Sequence, residues 1–260
     1  MDLGLANKRA LVTGASKGIG LAVAEALAGE GCHVDLAARD GTRLAEVAQV
    51  IRARHSIEVR TFPADLARPH DQEMLAQSCG GVDILVNNAG SNPPGEIDAI
   101  EQDLWRASWE LKVFGYINMT REFYRRMKAR GAGVIVNVIG NSGERMNASY
   151  ILGSTGNVAL MGMTRALGGR SPDFGVRVLG VNPGLTNTER AERMLKGWSE
   201  NAHGTSERWR EFMADMNLPF GRMGEASEVA AVVAFLASER ASYMSGTIVT
   251  VDGGATNRNA

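Results

Sequence analysis

Short apolar runs alternate with segments of helical periodicity along most of the chain. The apolar runs predict strands over Arg9 to Thr13, Cys32 to Ala38, Ile57 to Phe62, Ile84 to Asn87, Val134 to Ile139, Val176 to Val181 and Thr247 to Val251. The periodic segments predict helices over Ile19 to Gly29, Arg43 to Arg54, Leu104 to Arg130, Tyr150 to Gly169 and Ala226 to Ser238. Unbroken Val, Ile and Leu runs separated by helices are typical of a parallel sheet covered on both faces. We therefore expect an α/β fold with a single doubly wound parallel sheet and helices on both faces.

The regular alternation loosens between Thr188 and Phe220, where polar and aromatic residues dominate. Two short helical patches in this stretch are separated by Ser199 to Ser206. We interpret residues 188–220 as a substrate lid inserted into a domain that otherwise spans residues 1–260. Several large apolar residues could line a pocket or lid, although residues at such spacing could also belong to a core or an interface; they are Met146, Met194, Trp198, Trp209, Phe212 and Met213.

Composition narrows the possible classes of protein. The 28 Lys and Arg residues against 29 Asp and Glu give a formal charge of -1, so no long-range positive field favours nucleic acid or anionic lipid. No run approaches the roughly 18 apolar residues that a membrane span needs. The chain has two cysteines, Cys32 and Cys79, far apart in the sequence, which favours a reduced cytoplasmic protein. We predict a protein that binds a small-molecule substrate and has no metal site.

A glycine-rich turn follows the first predicted strand, with the sequence Thr13-Gly14-Ala15-Ser16-Lys17-Gly18-Ile19-Gly20. Glycines at a strand-to-helix turn let the backbone close tightly and approach a pyrophosphate, whose charge the helix N-terminus favours. Three glycines alone are weak evidence, because many α/β proteins need glycine where a strand and a helix meet. The turn therefore predicts either a nucleotide site or a structural turn.

The spacing G-x-x-x-G-x-G resembles that of the short-chain dehydrogenase/reductase family, and further motifs agree with the family's order along nearly the whole chain. These motifs are Asp65 after the third strand, Asn87-Asn88-Ala89-Gly90, Asn182-Pro183-Gly184 with Thr188, and Val251-Asp252-Gly253-Gly254. The resemblance implies a Rossmann-type fold, a dinucleotide cofactor and a symmetric homotetramer. It also implies cofactor contacts through Gly14, Ser16, Gly18, Ile19, Asp65, Leu66, Asn88, Ala89, Gly90, Pro183, Gly184, Thr186 and Thr188. Asn87 and Asn88 could instead tie neighbouring strands together.

Charge at the end of the second strand favours NADP(H) over NAD(H). An NAD-preferring enzyme would place an acid there, on the ribose hydroxyls, whereas this chain has Ala38 followed by Arg39. Arg39 offers a planar donor fork for a 2′-phosphate, and Lys17 in the glycine turn offers a second positive charge. In the alternative interpretation, Arg39 is a solvated residue paired with Asp40.

The positions of the family's catalytic residues carry other residues in this chain. The family uses a Tyr, a Lys four residues later, a Ser about 13 residues before the Tyr, and an Asn on the preceding long helix. The Tyr gives or takes the substrate proton, the Lys lowers its pKa and holds the ribose, and the Ser polarises the carbonyl. The corresponding residues here are Gly153, Asn157, Gly140 and Lys112.

Tyr150 is the candidate for the missing phenol. It lies seven residues before Asn157, and the enoyl reductases of the superfamily space their Tyr and Lys by seven. On a helix, Tyr150, Gly153 and Asn157 would share a face, so the phenol could point at the pocket. It could equally be a tyrosine that packs at a helix start.

Lys112 and Ser142 complete the candidate catalytic set with Tyr150 and Asn157. Lys112 stands where the family has Asn, and Asn157 where it has Lys, so a positive charge could persist at the site. A Lys between Leu111 and Val113 would be costly to bury without a role, although it could also snorkel to the surface. Ser142 follows the fifth strand and could replace the missing Ser, or it could belong to an ordinary turn.

These features favour an NADP(H)-dependent oxidoreductase. Such an enzyme would transfer a hydride to or from a small carbonyl, alcohol or activated alkene, and its proton-donor site would be rearranged. A second hypothesis is a non-catalytic NADP(H)-binding protein that acts as a sensor or as the partner of another subunit. Turnover with NADPH across a panel of carbonyls and activated alkenes would separate the two.

Overall fold

The protein is described by a computed structural model that covers residues 2–90 and 92–258. Its main sheet is wholly parallel, with strand order β3-β2-β1-β4-β5-β6-β9. The strands are β1 (Arg9–Thr13), β2 (His33–Ala38), β3 (Val59–Pro63), β4 (Ile84–Asn87), β5 (Gly133–Val138), β6 (Val176–Pro183) and β9 (Ile248–Val251). A separate two-residue pair joins β7 (Thr186–Asn187) to β8 (Gly224–Glu225). The order reverses direction beside β1, which confirms the predicted doubly wound fold.

Helices cover both faces of the sheet. They are α1 (Gly18–Gly29), α2 (Gly41–Arg54), α3 (Pro69–Ser78), α4 (Gln102–Trp109), α5 (Gly115–Arg130), α6 (Ile151–Arg170), α7 (Glu189–His203), α8 (Trp209–Asp215) and α9 (Ala226–Ala237). Helices α1, α2 and α9 pack on one face, and α3, α5 and α6 contribute to apolar clusters on the other. Alternation along β1 shows the division, because Val12 joins the first cluster whereas Leu11 joins the second. Within the described residues, no helix combines the length and the apolar character needed to cross a membrane.

The structure differs from the sequence-based prediction at α3. The sequence Pro69-His-Asp-Gln-Glu-Met-Leu-Ala-Gln-Ser offers few apolar positions, and Leu75 and Ala76 are the buried ones. The helix begins with a proline in its first turn, a position where the missing N–H costs no intrahelical hydrogen bond. A mostly polar helix with a narrow buried stripe escapes detection by hydrophobic periodicity.

The long helix predicted over residues 104–130 is interrupted by a π-helical turn at Glu110–Phe114. This turn separates α4 from α5 and contains Lys112. A π turn adds one residue per turn and changes the direction of the side chains near it, and such turns are frequent at functional sites.

The predicted lid region contains α7 and α8. The gap expected at Ser199 to Ser206 is shorter than predicted, because α7 continues to His203 and the Ser199 hydroxyl donates 2.8 Å to the Thr205 carbonyl. Helix α7 packs its apolar face against α8 and neighbouring residues. That small cluster comprises Leu185, Ala191, Leu195, Trp198, Trp209, Phe212, Met213, Met216, Leu218 and Met223.

Candidate active site

A cavity of about 860 Å³ opens where the carboxyl ends of β4, β5 and β6 meet the start of α7. In open α/β sheets, ligands bind at this edge because the strand order reverses there and loops diverge. The cavity contains seven of the residues that the sequence predicted for the cofactor, namely Ile19, Asn88, Gly90, Pro183, Gly184, Thr186 and Thr188. It also contains all four candidate catalytic residues, namely Lys112, Ser142, Tyr150 and Asn157.

The glycine turn has the close backbone approaches that a phosphate cradle requires. Gly14 and Gly18 both adopt positive φ, at +68° and +59°, a region that favours glycine. A Cβ on Gly20 would lie 2.3 Å from the carbonyl oxygen of Gly14, so the helix start and the strand end touch. No side chain larger than hydrogen fits between them.

The floor beside this turn is held by hydrogen bonds from Asn88. Its Nδ2 donates 2.9 Å to the Thr13 carbonyl, and its backbone N–H donates 2.9 Å to the Thr13 hydroxyl. Asn87 joins neighbouring elements by donating to Thr120 and Asn137 at 3.0 and 2.9 Å. Both asparagines therefore tie elements together, as the structural alternative expected, and Asn88 in addition lines the cavity.

Asp65 and Leu66 do not line this cavity. The Asp65 carboxylate accepts 3.1 Å from the backbone N–H of Ala67, and the carbonyl of Leu66 accepts 2.7 Å from Gln72. These bonds shape the turn after β3, so the predicted adenine contact of Asp65 and Leu66 stays a prediction.

Basic side chains surround the glycine turn on its outer side. Lys17 and Arg39 are exposed, and Asp40 accepts 3.0 Å from the backbone N–H of Arg43 rather than pairing with Arg39. Arg43 donates 3.0 Å to the Ser16 carbonyl and forms an ion pair with Glu189 at the start of α7. The side chains of Lys17 and Arg39 form no ion pair with a described carboxylate, so both remain available to an anion.

The residues present fit a dinucleotide. The crowding at Gly14 and Gly20 forms a cradle that any Cβ would fill. At the other end, Asn157 is only 4% exposed and its Oδ1 has no hydrogen-bond partner among the described residues. A buried acceptor without a donor is costly, and a ribose hydroxyl would supply the missing donor.

Gly153 leaves a space that the ring of Tyr150 fills. A Cβ on Gly153 would lie 1.9 Å from Cε1 and 2.3 Å from Cζ of Tyr150. Tyr150 is the N-cap residue of α6, which begins at Ile151 and not at Tyr150 as predicted. The phenol therefore lies over Gly153, the position predicted to correspond to the family's tyrosine, and it borders the cavity.

Among the described residues, the cation that hydrogen-bonds to Tyr150 is Arg190 and not the candidate Lys112. Arg190 donates from one guanidinium nitrogen to the Tyr150 hydroxyl at 3.2 Å and to the Asn92 carbonyl at 3.0 Å. Lys112 makes its hydrogen bonds elsewhere, because its side chain runs from the π turn along Gly90 toward β5.

Lys112 is buried, with 6% of its surface exposed, so the surface-snorkelling alternative is wrong. Its ammonium donates 3.0 Å to the Val138 carbonyl and 3.0 Å to the Tyr116 hydroxyl. Tyr116 in turn donates 2.7 Å to Val138. Burial, followed by the nearby charge of Arg190, lowers the pKa of Lys112 to about 7.

Asn157 connects the two remaining candidate positions. Its Nδ2 donates 2.8 Å to the Ser142 hydroxyl and 3.2 Å to the Gly140 carbonyl. A Cβ on Gly140 would lie 2.8 Å from this nitrogen, so Asn157 occupies the space next to Gly140, the position predicted to correspond to the family's serine. Ser142 lies in a short 3-10 turn and lines the cavity, which is compatible with both interpretations of that residue.

Sequence reasoning missed Arg190, Tyr116 and Asn92. Their roles depend on contacts between distant segments, since Arg190 and Tyr150 are 40 residues apart. The available signal for Arg190 was its position two residues after Thr188, in the first turn of a helix that begins at the cofactor motif.

A Tyr-x-x-x-Lys spacing does occur in the chain, at Tyr124 and Lys128 on α5. Lys128 lies 3.6 Å from the centre of the Phe174 ring. Neither Tyr124 nor Lys128 lines the cavity, so this pair is not part of the candidate site.

The apolar residues proposed for a pocket wall divide into two groups. Met146, Met194 and Trp198 line the cavity. Trp209, Phe212 and Met213 pack in the small cluster between α7 and α8, the alternative that the sequence had left open, and Trp198 belongs to both groups.

Comparison with known proteins places these features in a family. The sequence profile of the short chain dehydrogenase family matches residues 8–197. The chain is 38% identical over 253 residues to galactitol 2-dehydrogenase (L-tagatose-forming) of Cereibacter sphaeroides, covering 95% of this chain and 94% of that protein. It is 28% identical to the NADPH-dependent reductase BacG of Bacillus subtilis, covering 96% and 98%.

A solved structure agrees with the sequence comparisons. L-sorbose reductase from Gluconobacter frateurii, complexed with NADPH and L-sorbose, superposes with a TM-score of 0.91 at 33% identity, covering 100% of both chains. The fold of this chain, its glycine turn and its cavity at the carboxyl ends of the strands agree with these comparisons. The chain belongs to the short-chain dehydrogenase/reductase family of oxidoreductases.

Proposed function

We propose that this chain is an NADP(H)-dependent oxidoreductase that uses Tyr150 in place of the family's tyrosine. Its substrate is a small carbonyl, alcohol or activated alkene. The observation that carries the proposal is the ring of Tyr150, which fills the space above Gly153 and borders the same cavity as the cofactor motifs. The NADPH-dependent reductase BacG and the NADPH complex of L-sorbose reductase support the choice of cofactor.

The proton in this reaction passes through the Tyr150 hydroxyl. NADP(H), when bound, supplies or accepts the hydride. Arg190 donates a hydrogen bond to the phenol oxygen at 3.2 Å, and a neighbouring positive charge favours the phenolate that forms when the proton leaves. Lys112 contributes a second positive charge from the cavity wall, while Ser142 and Asn157 offer polar contacts to the carbonyl oxygen and the ribose.

In this proposal the chain is an atypical member of its family. Gly153, Asn157, Gly140 and Lys112 stand at the four positions that the family uses for catalysis. The cofactor cradle lies on β1, α1 and β4, whereas the proposed proton donor lies at the start of α6, so different elements carry the two. A rearranged donor beside an intact cradle is therefore structurally consistent.

A second candidate function is non-catalytic NADP(H) binding, as a sensor or as support for a partner subunit. The observation that favours it is the engagement of the Tyr150 hydroxyl by Arg190, which occupies one of the phenol's hydrogen-bonding positions. In this alternative the chain binds NADPH tightly and turns over nothing.

Turnover measurements decide between the two functions. Purified protein with NADPH is assayed against a panel of ketones, aldehydes and activated alkenes, and with NADP⁺ against the corresponding alcohols. Oxidation of NADPH with a stoichiometric reduced product supports the oxidoreductase. Submicromolar NADPH binding without turnover across the panel favours the non-catalytic function.

Cofactor preference is tested by the substitution Arg39→Asp. We expect it to weaken NADPH binding by about 2 kcal/mol or more, because it removes a charged contact to the 2′-phosphate and adds repulsion. NADH binding should gain relative to NADPH. Both affinities are measured by titrating the fluorescence of the reduced cofactor.

The matched control for Arg39 is Arg54→Asp, the same charge change at the far end of α2. Arg54 pairs with Glu25 and lies away from the glycine turn, so its replacement should leave cofactor preference unaltered. A wild-type protein that prefers NAD(H), or an unchanged NADPH affinity in Arg39→Asp, would refute the assignment.

Self-association as a homotetramer is proposed from apolar side chains left exposed on the helices that flank β5. Exposed examples are Leu104 on α4, Phe114 in the π turn, Ile117 on α5 and Val158 on α6. A second copy of the chain would cover them. Light scattering at micromolar concentration should therefore give the mass of a tetramer, and a monomer would contradict the proposal.

The lid and the cellular compartment remain parts of the same proposal. Residues 188–220 would close over the substrate, since Met194 and Trp198 on α7 face the cavity.

The thiols of Cys32 and Cys79 are buried and unpaired with one another, and burial raises the pKa of each, as suits inert thiols in the cytoplasm.

A further inference from the structure

The cavity wall carries charge of one sign only. Four basic residues line it, namely Lys112, Arg145, Arg190 and Arg258, and no Asp or Glu lines it among the residues that the structure describes. The whole chain has a formal charge of -1, with acids and bases nearly balanced. The positive charge is therefore a local property of this cavity and not of the protein surface in general.

None of the four has a carboxylate within 4 Å in the described part of the chain, and their hydrogen-bond partners are neutral. Arg145 donates 3.0 Å to the Ala255 carbonyl, and Arg258 donates to the carbonyl and side chain of Asn217. Elsewhere the chain pairs its arginines readily, for example Arg9 and Arg60 with Asp35. Unpaired cations concentrated in one cavity thus depart from the chain's own pattern.

Two carboxylates that are near the cavity-lining residues in sequence make hydrogen bonds elsewhere. Asp252 accepts 2.7 Å from the backbone N–H of Thr256 and 3.3 Å from Asn141. Glu144 accepts 2.7 Å from the Thr250 hydroxyl. Asp252 therefore stabilises the segment after β9 and Glu144 contacts β9 itself, so neither forms an ion pair with a basic residue of the cavity.

Lys112 gives an independent indication, because it is buried without a counter-ion. Taking an ammonium out of water is costly unless an opposite charge accompanies it. Arg190 increases the cost, since two like charges approach the same space. A negative group in the cavity would offset both penalties.

We propose that the substrate carries an anionic oxygen group, either a carboxylate or a phosphate, that binds to Arg145 and Arg258 at the cavity mouth. This inference rests on the proposed function and names the class of its substrate. Arg145 donates to the carbonyl of Ala255 in the segment that bears Arg258, and both arginines are exposed and line the cavity. Lys112 and Arg190 lie toward the reacting end and add to the positive field.

Guanidinium groups suit this role for two reasons. Their planar fork donates two parallel hydrogen bonds to a carboxylate or phosphate, and they stay charged at any physiological pH. A cavity lined by one sign of charge also concentrates ligands of the opposite sign before they bind. Arg145 and Arg258 would select the substrate, while the chemistry would take place at Tyr150.

The test uses probes that share a skeleton and differ in charge. For reduction with NADPH, they are dihydroxyacetone, hydroxypyruvate and dihydroxyacetone phosphate; for oxidation with NADP⁺, they are D-glucitol, D-gluconate and D-glucitol 6-phosphate. We expect kcat/KM for a charged member to exceed that of the neutral member roughly tenfold or more. The probe with the higher kcat/KM, carboxylate or phosphate, identifies the anionic group that the site prefers.

Variants attribute the preference to the two arginines. Arg145→Gln combined with Arg258→Gln should abolish the advantage of the charged probe, so that kcat/KM for the charged and neutral probes becomes similar. Arg170→Gln is the matched control, because Arg170 is exposed at the end of α6, pairs with Asp173 and does not line the cavity. An equal loss in the control would overturn the assignment to Arg145 and Arg258.

The outcomes separate this inference from the proposed function. Turnover with equal or better kcat/KM for the neutral probes overturns the inference and leaves the oxidoreductase intact. With no turnover of any probe, the oxidoreductase fails, and quenching of bound NADPH fluorescence by each probe becomes the deciding measurement. Quenching by charged probes alone, lost in the double variant, would still support the anion site, and quenching without charge preference would overturn it.

Discussion

Replacement of Tyr150 by phenylalanine is expected to lower kcat by roughly 10²-fold or more, in line with the usual contribution of a general acid. Phe keeps the ring that packs over Gly153 and removes only the hydroxyl that contacts Arg190. NADPH binding should therefore stay near the wild-type value. Single-turnover rates and a fluorescence titration of NADPH measure the two quantities separately.

The control for this substitution is Tyr243→Phe, which removes a hydroxyl from a fully exposed tyrosine that does not line the cavity. It should leave kcat unaltered. A Tyr150→Phe variant with full activity would refute Tyr150 as the proton donor. A structure with bound cofactor would do the same if the Tyr150 hydroxyl reached the neighbourhood of nicotinamide C4 neither directly nor through one bridging water.

Lys112→Met is the second substitution with a large expected effect, again roughly 10²-fold in kcat. The substitution keeps an apolar stem along Gly90 and removes the charge. Because burial lowers the pKa of Lys112 to about 7, the ammonium is the main form below that pH and is lost as pH rises through it. Activity that depends on the ammonium should fall over that range in the wild type, and the variant's pH–rate profile should be flat there.

Folding stability provides a readout of Lys112 that does not depend on catalysis. Between about 7 and the ordinary lysine pKa of 10.5, the unfolded chain holds a proton on Lys112 that the folded chain lacks. Stability should therefore rise with pH across that window through this residue, and Lys112→Met should remove the slope. The charged group facing Lys112 is Arg190, and Tyr116 contributes no charge because burial raises its pKa.

Lys128→Met is the matched control for Lys112. Lys128 lies exposed on α5 against the Phe174 ring, away from the cavity. It should change neither kcat nor the pH–rate profile. Wild-type kcat together with a wild-type pH profile in Lys112→Met would exclude a catalytic charge at this position.

The fold was predictable because the buried central strands can be recognised from their local sequence. Leu11 and Val12 on β1, or Leu85 and Val86 on β4, belong to continuous apolar runs, since both faces of the sheet are covered. Elements that bury fewer apolar residues show weaker hydrophobic periodicity in the sequence. The polar helix α3 shows few apolar positions, and the π turn at Glu110–Phe114 depends on one extra residue per turn, which hydrophobic periodicity does not resolve.

The cofactor end was predictable for a different reason from the catalytic end. Gly14, Gly18 and Gly20 act through backbone geometry within one short segment, so their spacing alone carries the information. The contact between Arg190 and Tyr150 instead depends on where α7 begins relative to α6 in space. Burial of Lys112 could be suspected from its apolar neighbours, but its partners Tyr116 and Val138 come from the helix packing on β5.

The overlap between Tyr150 and position 153 also restricts how this site can change during evolution. The first side-chain atom at position 153 would lie 1.9 Å from Tyr150 Cε1, so the two side chains exclude each other. Gly153→Tyr in the present chain would displace the proposed proton donor, and loss of Tyr150 first would leave α6 and its cap without a phenol. With Tyr150 as the proposed proton donor, either substitution made alone is expected to impair activity, so steric exclusion would disfavour stepwise exchange of the two arrangements.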